Sequence, residues 1–191
     1  MLLDLANGML AYVVLSMVFG ETASVWFLSV ALAFSIAPDG DYAIYAVMRR
    51  YREVLSHKFV HYPLVWVVAL LSIGYFSGRW YMALLAVVPV TLHFVHDSFA
   101  DTGTEWLWPI LPGRWFTFYS GRLNVLNAIE RNARLRARYK HETNKGFVRV
   151  LMGRLVEDFA GSAGSARFVY VFAVLALTAW FCFNAGYSFW G

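Results

Sequence analysis

The chain is poor in cysteine and poor in charge, and each shortage removes a class of protein. Its single cysteine, Cys182, can close no internal disulfide and excludes a zinc knuckle built on cysteine pairs. Any metal site must therefore come from His, Asp and Glu. Charged residues make up 15% of the 191 positions, against about a quarter in a soluble domain. Disorder, a coiled coil and a disulfide scaffold are excluded by the same arithmetic. No G-x-S-x-G elbow, phosphate-cradling glycine loop or dinucleotide fingerprint occurs, so covalent and nucleotide-dependent chemistry fall behind a metal site. Ser56 and Ser98 stand beside His57 and Asp97 without such a setting. No aromatic-interleaved platform or recognisable major-groove helix is present, so nucleic acid is not an expected partner.

What is there is apolar. Hydrophobic residues reach 60%, aromatics 18%, and the mean hydropathy is +0.53. Five apolar stretches stand out: Met9–Phe19, Thr22–Ala37, Tyr62–Ser77, Trp80–Phe94 and Phe168–Phe183. Each falls short of the ~20 residues that comfortably cross a bilayer. Either the helices extend into their polar flanks, or the first is a re-entrant partner of the second around Gly20-Glu21. Trp26, Trp66, Trp80, Trp180 and Trp190 sit near stretch ends, where interfacial anchors belong. The expected fold class is all-α: a polytopic helical membrane protein with about four or five membrane-embedded helices and cytoplasmic amphipathic helices. Met1-Leu2-Leu3-Asp4 offers an acid and no basic residue before the first apolar run, which argues against a cleavable signal peptide. The chain is expected to form one domain. Residues 1–112 would be the metal-site core, 113–166 a basic cytoplasmic segment and 167–191 a C-terminal membrane helix.

Of 16 Lys and Arg, 11 lie between Arg114 and Arg167, and Arg49, Arg50, Arg52 and Lys58 separate the second and third stretches. By the positive-inside rule these segments are cytoplasmic and the turn at Gly78-Arg79 faces outward. Asn124–Tyr139 carries Arg131, Arg134, Arg136 and Arg138, with Leu123, Leu126, Ile129 and Ala133 at helical spacing. Phe147, Val148, Leu151 and Leu155 repeat the pattern. Two amphipathic helices on an anionic leaflet are expected, their arginines forming a solvated or lipid-facing surface.

Four of five histidines and three of six aspartates lie in or beside apolar stretches, where ionisable groups are costly and usually functional. They fall in Pro38-Asp39-Gly40-Asp41, in His57-Lys58-Phe59-Val60-His61 and in His93-Phe94-Val95-His96-Asp97. The second stretch ends, the third begins and the fourth ends on one side of the membrane, so the clusters share one level. His93 and Asp97 are four apart and share a helical face, as do His57 and His61; His96 can reach that face or orient a neighbour. Imidazole and carboxylate without thiolate suit zinc, manganese or iron. The plainer readings are a turn with Asp41 as N-cap, interfacial histidines, and a structural His93–Asp97 hydrogen bond.

Pro38-Asp39-Gly40-Asp41, His61, and His93 to Phe99 with Gly103 and Trp108-Pro109 resemble the motifs of the LexA-binding, inner-membrane-associated hydrolases, also called membrane-bound metal-dependent hydrolases. Those motifs are P-D-x-D, H-R-x-x-T-H-S and H-x-x-x-D followed by W-P. Ser56 stands at the first family histidine, with His57 one place later, and Tyr42 stands where many members have His. That family is distantly similar to zinc phospholipase C and P1 nuclease. The resemblance implies a divalent metal, zinc first, acting on phosphoesters that could be phospholipid-derived, at the cytoplasmic face of the inner membrane. The ligands it and the spacing suggest are His61, His93, Asp97 and Asp39, with His57 and His96 as further candidates and Asp39 or Asp41 as general base. The expected partners are the bilayer, anionic headgroups and a protein bound through the basic segment. The rival expectation is a non-catalytic protein with a structural metal or a regulatory role.

Overall fold

The computed structural model describes residues 2–40, 61–99, 103–118, 122–127, 129–131, 133–134 and 166–184. Within them the apolar stretches are helices: α1 (Leu2–Phe19), α2 (Val25–Ile36), α3 (Pro63–Ser77), α4 (Trp80–Asp97) and α5 (Ala166–Asn184). A 3-10 turn over Ala37–Asp39 prolongs α2. The first stretch lengthens through its flank to Leu2, taking in Asp4, and the fourth lengthens to take in His93, His96 and Asp97. Both reach 18 residues and are long and apolar enough to cross a membrane, while α2, α3 and residues 169–184 of α5 are apolar but shorter.

Local sequence sets where each helix stops. Pro63 occupies the first turn of α3, where its missing N–H is no loss. Gly20 and Gly78 both adopt φ +66, a left-handed conformation that glycine accepts and that ends a helix within one residue. They close the α1–α2 and α3–α4 turns, and both turns lie at the same end of the molecule. Ser16 and Tyr81 meet there through their hydroxyls at 2.8 Å. At the opposite end Asp4 Oδ1 lies 2.8 Å from His96 Nδ1. The chain therefore runs away from that second end along α1, back along α2, away along α3 and back along α4. α5 runs beside α1, with Tyr170 donating to Asn7 Oδ1 at 2.8 Å and Phe181 edge-on to Tyr12.

Small residues let the helices approach. A Cβ on Gly8 would lie 2.9 Å from Ser35 Cβ, and one on Gly74 would lie 2.4 Å from Ala83 Cβ. Such close backbone approach is how helices associate in lipid, where burial of apolar surface gives little drive. Tyr12, Val13, Ala31 and Leu85 form one buried cluster, and Leu70, Val90 and Phe94 belong to a second.

The basic segment departs from the expected helix at its start. Trp115–Thr117 (β1) and Asn124–Leu126 (β2) pair antiparallel, with Phe116 opposite Val125, and Thr104 bridges Phe116 on the other edge of β1. Helix begins only after Asn127, at residues 129–131 and 133–134. The cause is a capping box: Asn127 Oδ1 accepts from the Ile129 and Glu130 N–H groups, and Glu130 Oε2 accepts from the Asn127 N–H. That reciprocal pair fixes a helix start and leaves 124–126 free to pair as a strand. Arg131 is no part of a solvated basic face. It is 9% exposed, with its guanidinium 4.8 Å from the Trp115 ring centroid. Arg136, Arg138 and the second expected amphipathic helix lie outside the described residues.

Candidate metal centre

The ends of four helices meet at one level. Asp39 closes the 3-10 turn after α2, His61 precedes α3, His93, His96 and Asp97 occupy the last turns of α4, and Asp4 lies in the first turn of α1. Asp39, His61 and His93 each present one ligand atom, and these atoms lie within 4.8 Å of one another. Asp97 Oδ2 lies 3.3 Å from His61 Nε2 and 3.4 Å from His93 Nε2. Asp39 Oδ1 is 3.9 Å from His93 Nε2.

His93 decides what this cluster holds. It is 1% exposed, and its Nδ1 lies 2.9 Å from the backbone carbonyl of Ser35 on α2. A carbonyl can only accept, so Nδ1 carries the hydrogen and the neutral ring has its lone pair on Nε2. That buried nitrogen faces two carboxylates, Asp97 Oδ2 at 3.4 Å and Asp39 Oδ1 at 3.9 Å. Lone pair against carboxylate is unfavourable unless positive charge lies between them, as a proton or a metal ion. A histidine whose outer nitrogen is fixed by a carbonyl is the usual support of a metal ligand. Donors about a tetrahedral zinc stand ~3.3 Å apart; Asp97 Oδ2 meets that spacing to both Nε2 atoms, while Asp39 stands wider, 3.9 Å from His93 Nε2. The donor set therefore suits zinc, manganese or iron.

The surroundings are organised to hold these groups. Ser98, fully buried, accepts from Trp106 Nε1 at 2.7 Å and donates to the Phe94 carbonyl, so its hydroxyl serves structure and not nucleophilic attack. Tyr62 stacks on Trp108 with ring centroids 4.2 Å apart, fixing the chain beside His61. Burial pushes the Asp39 carboxyl above its ordinary value; His93 draws it down, and the charges of Asp97 and Asp4 push it further up.

His96 is not brought into the Asp39–His61–His93 group. Its Nδ1 turns to Asp4 Oδ1, which also lies 3.6 Å from His93 Nδ1. Asp41 and His57 lie outside the described residues. Asp4, 2% exposed, is the residue sequence reasoning missed. In the sequence it stands ahead of an apolar run that starts at Met9, and only the extension of α1 to Leu2 brings it to this level.

The fold and this cluster define a class: a helical membrane protein with a histidine–carboxylate centre at its helix ends. The chain belongs to the YdjM inner membrane protein family, whose family model matches residues 4–187, and it is an inner-membrane protein. No curated protein and no solved structure matches it. The family match brings no hydrolase activity and no likeness to zinc phospholipase C.

Proposed function

We propose that the chain is a membrane-embedded, metal-dependent hydrolase of phosphoesters, with phospholipid-derived esters the first class to try. The observation that carries this reading is His93, whose Nδ1 is committed to the Ser35 carbonyl while its buried Nε2 faces Asp97 and Asp39. His61, His93, Asp97 and Asp39 would hold a divalent ion, zinc first, with manganese and iron as alternatives. Such an ion supplies a hydrolytic nucleophile near neutral pH and polarises the phosphoryl oxygen. The chain's own residues do the rest. The Ser35 carbonyl orients His93, Asp4 orients His96, and Asp39 or Asp41 would accept the proton released by the attacking water. The multi-pass arrangement would place these residues at the cytoplasmic face, the side that the lysines and arginines of 49–58 and 114–167 favour.

A second reading has its own support. The cluster ties α2, α3 and α4 together at one end, which is what a structural metal would do. Metal analysis of detergent-purified protein beside a His93→Ala/Asp97→Ala variant tests the shared premise. Near-stoichiometric metal in the parent and its loss in the variant supports a built site. Equal trace metal in both, persisting after reconstitution, overturns it. Cleavage of a phosphoester by the metal-loaded parent, lost in the variant, selects the enzyme. Loss of thermal stability on chelation, without cleavage across a phosphoester panel, selects the structural site.

A further inference from the structure

A two-stranded hairpin at the surface of a water-soluble protein turns a polar face outward, and this one does the reverse. Side chains alternate across a strand, so the buried Trp115, Thr117 and Leu126 share one face with the exposed Asn124, and Phe116 and Val125 share the other. On that outer face Val125 is 46% exposed, and Leu123, two residues earlier, is 58% exposed. Phe118, 42% exposed, meets the ring of Phe99 at 5.7 Å. Arg114 and Arg122, both exposed, flank the two strands. An exposed apolar face with arginines at the strand ends marks an interaction surface.

We propose that this outer face of the hairpin is seated in the headgroup region of an anionic leaflet, the apolar side chains reaching the acyl boundary and the arginines meeting lipid phosphates. Exposed apolar and aromatic side chains with arginines beside them belong to the interface, the former at the acyl boundary and the latter at the phosphates. The hairpin is also fastened to the metal centre, because the Phe118 N–H donates to the Ser98 carbonyl at 2.7 Å and Ser98 follows Asp97. Seating the hairpin therefore holds the histidine–carboxylate cluster at headgroup level, whatever reaction that cluster performs.

The test uses the full chain with Cys182→Ser and a nitroxide on a single cysteine, Val125→Cys in one preparation and Leu123→Cys in another. Each is placed in nanodiscs of phosphatidylglycerol and phosphatidylethanolamine. Collision with oxygen is compared with collision with a water-soluble nickel chelate, using Val14→Cys on the exposed side of α1 as the lipid-facing reference. An oxygen-to-chelate ratio at either hairpin position between that at Val14, well inside α1, and that of a free nitroxide in buffer is the expected result, and a ratio matching Val14 would overturn the headgroup depth. A ratio favouring the chelate at both would overturn the proposal by placing the face in water. Suppression of both collisions would overturn it too, because protein, a partner or a second copy, then covers the face. With Arg114→Gln and Arg122→Gln together, the ratio should fall in anionic discs. An unchanged ratio would overturn the assignment to an anionic leaflet.

Discussion

The same two helices, α1 and α4, meet at both ends of the molecule, and the two meetings are chemically unlike. At the turn end Ser16 and Tyr81 share a neutral hydrogen bond, with Phe19 and Phe27 packed on the tyrosine ring. At the other end Asp4, His93, His96 and Asp97 in the α1–α4 seam are joined by Asp39 from the end of α2 and His61 from the start of α3. The turn end shows how little is needed to hold two apolar helices together: one satisfied polar pair and close-packed rings. Ionisable groups cost far more to bury, so the charged end carries more than packing requires. The surplus is the site.

Removing a partner from each end measures that surplus. Asp4→Ala leaves His96 without its carboxylate and exposes His93 to a changed field. The expected destabilisation is about 3 kcal/mol, read as a lowered thermal unfolding midpoint in detergent. If the cluster holds metal, losing this outer carboxylate should weaken binding by about tenfold, read by competition with a chelating dye. A loss at Asp4 no greater than that at the turn end would remove the distinction between the two.

A second pair of substitutions sharpens it. Gly8→Val pushes on Ser35 and the Ala31 carbonyl, both already within about 3 Å of the added Cβ, and Ser35 is what holds His93. Gly74→Val pushes on Ala83 near the turn end. Overpacking of this kind costs about 1–3 kcal/mol at either place. Only Gly8→Val should also lower metal occupancy in the purified protein. Equal metal content in the two variants would show that the Ser35 carbonyl does not govern the cluster.

These contrasts also show what could be read from sequence. The apolar runs and the up-and-down path were legible because hydrophobic length is a one-dimensional property. The shared level of Asp39, His61, His93 and Asp97 followed from that path alone. Asp4 was not legible, because α1 had to be seen to start at Leu2 before an acid in the N-terminal flank became a residue at the site. His96 turned the other way for the same reason: without Asp4, nothing told its spacing of three from a ligand's. The hairpin was missed because Leu123, Leu126, Ile129 and Ala133 do fit a helical period. The pairing of β2 with Trp115–Thr117 and the Asn127–Glu130 capping box outweigh that period.

The smallest effect belongs to the neutral end. Ser16→Ala deletes a buried hydroxyl that pairs with Tyr81 at 2.8 Å. It removes the protein partner of the half-buried tyrosine hydroxyl, which costs about 1 kcal/mol. Tyr81→Phe, leaving Ser16 behind, should cost a similar amount, and the double variant should cost less than the sum, because both partners of one bond are then gone. None of the three should alter metal content, since the bond lies at the opposite end of α1 and α4 from Asp39, His61, His93 and Asp97. Metal loss in Ser16→Ala would mean that the helices move as rigid levers between their two ends, and the charged cluster would then be a readout of packing far from it.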